Sequence, residues 1–226
     1  MAIKINVASQ KGGTGKSTLA RLIGTAFAAI GWNSKIADLD TSQGTSFQWR
    51  SRRLENKIEP DVPVEQFGQV EKALKIADQY DLLIFDGAPH STQATRTAAL
   101  ASDLTIIPTG LSRDDLHPSV VLAHDLFKSG TPRERIVFAL CRVNDSEAEI
   151  REARTYLTQA GYEVLPGALP QRTGYSRASD EGRALTETRH PSLNRHAEEM
   201  AQAIVNKIQE LTAAIQPDQQ EQRSTA

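Results

Sequence analysis

Residues 3–8, Ile-Lys-Ile-Asn-Val-Ala, read as a β-strand, and the chain passes almost at once into Lys11-Gly12-Gly13-Thr14-Gly15-Lys16-Ser17-Thr18. Leu19, Leu22, Ile23, Ala26 and Ile30 follow at steps of three and four, the period of an amphipathic helix over about 16–30, and Gly31 is a natural stop. A strand delivered into a helix through a short glycine-rich loop is the first half of a crossover. It demands a second strand parallel to the first, which leaves few folds available.

The rest of the chain supplies such strands. Apolar runs at 35–39, 62–67, 82–85, 104–108, 136–141 and 163–165 alternate with helical patterns at 47–54, 71–79, 92–101, 114–128 and 147–159. The helix at 47–54 is expected to carry Arg50, Arg52 and Arg53 outward, and Pro118 to sit in the first turn of its helix. Residues 166–189, rich in Gly, Ser, Thr and Arg, read as an irregular surface loop with one helical turn. Leu193, Ala197, Met200, Ile204, Ile208, Leu211 and Ile215 form the apolar stripe of a final helix. With 39% hydrophobic and 24% charged residues and no repeat or linker, one domain is expected over 1–215. Residues 216–226 read as a disordered polar tail.

The glycine-rich loop carries a specific chemistry. Glycines let the backbone curl so that successive N–H groups converge on phosphate oxygens, and the helix start adds partial positive charge. Lys16 then meets the β- and γ-phosphates and the Ser17 hydroxyl reaches Mg²⁺. Against the pattern Gly-x-x-x-x-Gly-Lys-Ser/Thr, Ser9 or Gln10 stands where the first glycine usually sits. Such a site also needs carboxylates at neighbouring strand ends, and Asp38 and Asp40 close one strand while Asp86 closes another. The nearest lookalikes of a guanine-reading Asn-Lys-x-Asp element, Asn56-Lys57-Ile58-Glu59 and Asn206-Lys207, end a helix and lie within one, so adenine is favoured. The fold expected is α/β, P-loop NTPase-like, with a mostly parallel twisted sheet and helices on both faces.

Lys11 is a second lysine at the start of the loop, and this Lys-Gly-Gly-x-Gly-Lys-Ser/Thr arrangement resembles the deviant P-loop of the ParA/MinD family of ATPases. The resemblance implies ATP and Mg²⁺ as cofactors. It assigns ATP binding to Lys11, Gly12, Gly13, Thr14, Gly15, Lys16, Ser17 and Thr18, and direct metal contact to Ser17, with Asp38 and Asp86 acting through water. Lys11, Lys16 and Asp40 become the catalytic set, Asp40 orienting the attacking water and Lys11 reaching phosphates bound by a partner subunit. Gly87-Ala88-Pro89 is similar to the family's small-x-Pro tail. The family commonly has Asp-x-Asp-Pro-Gln where this chain has Asp38-Leu39-Asp40-Thr41-Ser42-Gln43, so its switch loop is expected to differ in shape. Segments 101–108 and 169–182 extend the resemblance toward small partition ATPases without an N-terminal helix-turn-helix, over most of 2–210.

A partition ATPase implies an ATP-dependent homodimer, nonspecific double-stranded DNA, a centromere-binding ParB-like partner that stimulates slow hydrolysis, no membrane, and a cytoplasmic, nucleoid-associated location. Twenty-six basic against 28 acidic residues give a charge of −2, which excludes a chain coated in basic charge. DNA contact is therefore expected from a local surface, Arg172, Arg177 and Arg183, with Arg189, Arg195 and the 50–53 cluster nearby.

Two alternatives stay open. A MinD-like, membrane-associated positioning ATPase would dock through its last helix, yet the polar face there holds Glu198, Glu199 and Glu210 against Lys207. No apolar run approaches the ~18 residues of a membrane span. A metabolic P-loop enzyme of the dethiobiotin-synthetase kind is the other; a nitrogenase-reductase-like cluster would need two cysteines per chain, and only Cys141 exists. A single cysteine also suits a reducing compartment. His90, His117, His124, His190 and His196 lack metal-ligand spacing, and Trp32 and Trp49 are expected in packing or at the surface.

Overall fold

The strand that opens the chain lies in the middle of a parallel sheet. The structure is a computed structural model; it describes residues 2–88 and 93–224, with side chains as far as residue 213. The expectations for Pro89, His90 and Thr92 lie outside those residues. Eight strands are described: β1 (Ile3–Val7), β2 (Ser34–Asp38), β3 (Val64–Gln66), β4 (Leu82–Asp86), β5 (Leu104–Thr109), β6 (Ile136–Val143), β7 (Glu163–Val164) and β8 (Leu169–Pro170). They pair in the order β3-β2-β4-β1-β5-β6-β7 with β8 on β6, every pair parallel.

The helices described are α1 (Lys16–Ala29), α2 (Thr45–Glu55), α3 (Val70–Leu74), α4 (Gln93–Ala101), α5 (Arg113–Lys128) and α6 (Glu147–Gln159), which lie between strands, and α7 (Thr173–Asp180) and α8 (Pro191–Ser224), which follow the last one. Strand side chains alternate between two cores. Ile5, Ile36, Ile84 and Ile106 meet Leu19, Leu22 and Ile23 of α1 and Met200, Ile204 and Ile208 of α8 on one face. On the other face, Leu83 and Phe85 meet Val70, Ala73 and Ala98, while Ile107 and Phe138 meet Leu116, Leu122, Leu126 and Leu157. Each fully buried Leu or Ile contributes about 1.5–3 kcal/mol, so the sheet is held from both sides.

Several expectations are corrected. The helix at 71–79 breaks into α3 and a 3-10 turn over Ala77–Gln79, because Ile76 N–H returns to Ala73 O and tightens the chain. Pro118 lies in the second turn of α5, whose cap is Ser112. The stretch 166–189 contains β8, α7 and a 3-10 turn over Leu185–Glu187. The final apolar stripe lies on α8, whose backbone spans Pro191–Ser224.

The largest correction concerns α2. Arg53 is fully buried: its two terminal nitrogens grip Glu187 at 2.7 and 2.8 Å, and the guanidinium also donates to Pro60 O and Gly182 O. Arg50 pairs with Asp61 through two hydrogen bonds, and Arg52 reaches Ser179 O. Trp49 is fully buried between the guanidinium groups of Arg21 and Arg53 and donates to Arg183 O at 3.0 Å. The arginines face inward because a planar fork can satisfy a carboxylate and several carbonyls at once.

This contact leaves no room at Gly182, where φ is +79° and a Cβ would sit 2.3 Å from Arg53 N. Gly182→Ala is expected to cost about 2–4 kcal/mol in urea unfolding, from left-handed strain plus overpacking. A variant as stable as the wild type would show that 172–189 does not rest on α2 this closely.

Candidate functional site

Parallel register builds the site. Val7 stands opposite Asp86, and Asp86 opposite Asp38, so the ends of β1, β4 and β2 form one row from which the loops emerge. This carboxyl end of a parallel sheet, where chain connections diverge to either side, is where such folds bind ligands.

The loop between β1 and α1 is tied together by Ser9, whose hydroxyl stands near the missing glycine. Ser9 Oγ donates to Lys11 O at 2.6 Å and accepts from Thr14 Oγ1 at 2.8 Å and Lys16 Nζ at 2.9 Å. Gly13 and Gly15 take φ of +75° and +103°, which the tight curl requires. Gly15 caps α1 without any side chain over the first amides, leaving them open to an anion. Burial pushes the Lys16 pKa down, opposed by the charges of Asp86 and Asp40.

Beside the loop, Ser17 Oγ donates to Asp86 Oδ1 at 3.1 Å and Ser46 Oγ to Asp86 Oδ2 at 2.7 Å. Asp86 is buried and its pKa is pushed up to about 6, first by burial, with the two hydroxyls and the Arg21 charge pulling the other way. Asp38 is fully buried; its Oδ2 accepts from the amides of Ser46 and Phe47, and its Oδ1 from Asp40 N–H. It therefore caps α2 as well as facing Asp86, and burial raises its pKa despite those bonds.

Asp40 stands half-exposed at the loop that follows. Burial would raise its pKa, but bonds from Ser42 Oγ (2.6 Å) and Gln43 N–H (3.1 Å), with the Lys16 charge, hold it below the usual carboxylate value. Both bonds go to Oδ1 and fold the altered Thr41-Ser42-Gln43 stretch back over the carboxylate. Lys11, 43% exposed at the mouth, touches Asp115 Oδ1 of α5 at 3.4 Å.

A cavity of about 490 Å³ opens here, lined by the loop glycines, Lys16 to Thr18, Asp40 and Gln43, with Tyr175, Ser176 and Ser179 of α7 opposite. A second of about 400 Å³ shares Gly12, Gly13 and Arg142 with it. Sequence reading missed Ser9, Arg21, Arg142 and the α7 residues. Arg21 was reachable, since it lies one turn beyond Ser17 on the same helix face; the α7 residues arrive from a distant segment with no local signal.

The DNA candidates are not equivalent. Arg172 pairs with Asp145, and Arg183 with Glu181 at 3.2 Å, while Arg177 is exposed with no ion pair among the described residues. Among those residues no cluster of three or more His, Cys, Asp or Glu side chains is arranged to hold a metal.

Open amides at a helix start, a buried lysine tied into the glycine loop and a hydroxyl–carboxylate pair beside it define a P-loop nucleotide-binding protein. The CobQ/CobB/MinD/ParA nucleotide binding domain (CbiA) matches residues 5–185, and the chain belongs to this family, which includes the ParA and MinD ATPases. Solved structures share its fold, among them the following three. The septum site-determining protein MinD of Pyrococcus horikoshii OT3, complexed with Mg-ADP, is 16% identical with a TM-score of 0.71, over 90% of this chain and 96% of that one. A plasmid partition protein of Borrelia burgdorferi B31 bound to AMPPNP is 18% identical, TM-score 0.69, over 92% and 100%. The pNOB8 ParA bound to nonspecific DNA is 14% identical, TM-score 0.58, over 91% and 99%. No curated protein sequence matches the chain.

Because Asp86 holds its proton up to about pH 6 when folded but only to 3.8 when unfolded, the folded chain loses stability as pH rises through that window. Asp86→Asn is expected to raise the melting temperature of the nucleotide-free protein at pH 7.5 by about 3 °C or more. A lower melting temperature would mean that the carboxylate is fully compensated by its donors.

Proposed function

We propose that this chain is a slow, switch-type ATPase of the partition kind. ATP and Mg²⁺ pair two copies, the pair binds nonspecific double-stranded DNA, and hydrolysis stimulated by a centromere-binding ParB-like protein releases it. The supporting observation is the Ser17–Asp86 pair beside a loop that carries Lys11 at its mouth.

The oxygen donors of Ser17 and Asp86, with Asp38 behind, suit Mg²⁺, which keeps several waters and is held by one or two carboxylates plus phosphate rather than by an all-protein cage. When bound, the ion neutralises phosphate charge. Lys16 and the α1 amides would orient the β- and γ-phosphates, with Gly12 to Thr18 lining the chain, and Asp40 Oδ2 would hold the attacking water. The Lys11–Asp115 contact is half-exposed, so it costs little to break, which frees Lys11 to reach phosphates on a second copy.

The DNA reading draws on the exposed Arg177 and Arg195 and on the DNA-bound relative. Membrane docking by α8 is disfavoured, since Ala197, Met200, Ile204 and Ile208 are buried on the sheet; among the described residues no helix is long and apolar enough to cross a membrane.

Lys16→Ala is expected to abolish ATP binding. Lys11→Ala should bind ATP and remain monomeric in gel filtration, and wild-type dimerisation by this variant would remove its cross-subunit role. Asp40→Ala should dimerise with ATP but turn over at least 10-fold more slowly. On random-sequence DNA, retention should appear with ATP and not with ADP, be absent on liposomes, and weaken severalfold in Arg177→Glu at unchanged ATP affinity. Retention that ignores the nucleotide would overturn the switch.

A further inference from the structure

Arg142 occupies the left-handed region at φ +57°, inside strand β6. Lys57 is the one other non-glycine residue there among the described residues, and it ends α2, where Ile58 N–H returns to Arg53 O at 3.0 Å. Helix ends use that conformation routinely. Arg142 has no helix to end. It lies where the pairing of β6 with β8 is irregular between Cys141 and Val143, and it is exposed while both neighbours are buried. Irregularities of this kind re-aim a side chain beside a site, and non-glycine residues kept in this conformation cluster where function holds them.

The re-aimed guanidinium donates to the carbonyl of Gly13, and Arg142 lines both cavities. It forms no ion pair among the described residues, so most of its five donors stay available. In a trans peptide the Thr14 N–H points opposite to the Gly13 C=O. Fixing the carbonyl from outside therefore aims that amide into the loop.

We propose that Arg142 is a positioning residue for nucleotide binding, setting the Gly13–Thr14 peptide and placing a cation at the cavity mouth for the phosphate chain. This rests on the ATP reading above and extends it to a residue outside the loop motif. The test measures a fluorescent ATP analogue with Mg²⁺ on the full chain, beside melting without nucleotide. Arg142→Gly should weaken binding about 10-fold, as expected for losing a charged hydrogen bond, with the melting temperature unchanged or raised by about 2–4 °C because glycine adopts the conformation unstrained. Arg142→Lys, which keeps charge and donor, should bind within about 3-fold of wild type. Unchanged binding by Arg142→Gly, loss of binding together with melting temperature, or no rescue by lysine would each overturn the proposal. A wild-type chain that does not bind the analogue would overturn the ATP reading, and this inference with it.

Discussion

Two buried carboxylates side by side, Asp38 and Asp86, impose the main constraint on this structure. Register puts them opposite each other on β2 and β4. Carboxylates in that position are expensive unless each receives donors. Asp38 is supplied by the first amides of α2, and Asp86 by Ser17 at the start of α1 and Ser46 at the start of α2. Lys16 and Arg21 add positive charge nearby, Arg21 with its pKa brought down to about 10 by burial. Both helices must therefore begin at this spot, and the loops that could embrace a nucleotide are those that start them.

The same requirement connects the site to a distant segment. Asp86 accepts from Ser46, Ser46 accepts from Arg21 Nε at 3.1 Å, and Arg21 Nη1 donates to Ser179 of α7 at 3.0 Å. Alongside, Trp49, Arg52 and Arg53 of α2 and Asn56 just past its end all donate to backbone carbonyls between 179 and 183. The loop 40–44 precedes α2 directly. Hydrogen-bonded contacts thus run without a break from that loop to α7, the physical continuity that coupling between two sites can use. Its strength is a free energy that only paired mutations apportion.

Sequence made the sheet and the loop readable because both depend on local patterns: short apolar strands, a 3.6-residue period, glycines before Lys16 and a hydroxyl after it. It misread α2 because charge pattern alone places arginines in water. Arg53 finds Glu187 across 134 residues of chain, a pairing no local window contains. The stretch 166–189 looked irregular for a related reason: α7 has few apolar residues of its own, burying Tyr175 and Ala178, and is ordered by contacts that α2 brings to it. The family resemblance assigns Asp38 to the metal shell. Its second duty as the cap of α2 depends on where the helix starts, at Thr45, two residues before the sequence placed it.

The inward turn of the arginines changes what a net charge of −2 means for nucleic acid. Arg53 is sealed against Glu187 and Arg50 is tied to Asp61; Arg172, Arg183 and Arg189 already have carboxylate partners. Within 172–195 that leaves Arg177 and Arg195 exposed without an ion pair among the described residues. Each phosphate contact steepens the salt dependence by about one unit, so a pair of contacts per copy holds duplex only weakly at physiological salt. Joining two copies makes the second engagement intramolecular and multiplies the affinity without a new contact. On the proposed reading, DNA binding would then follow the pairing of two copies, and separating them would release the DNA.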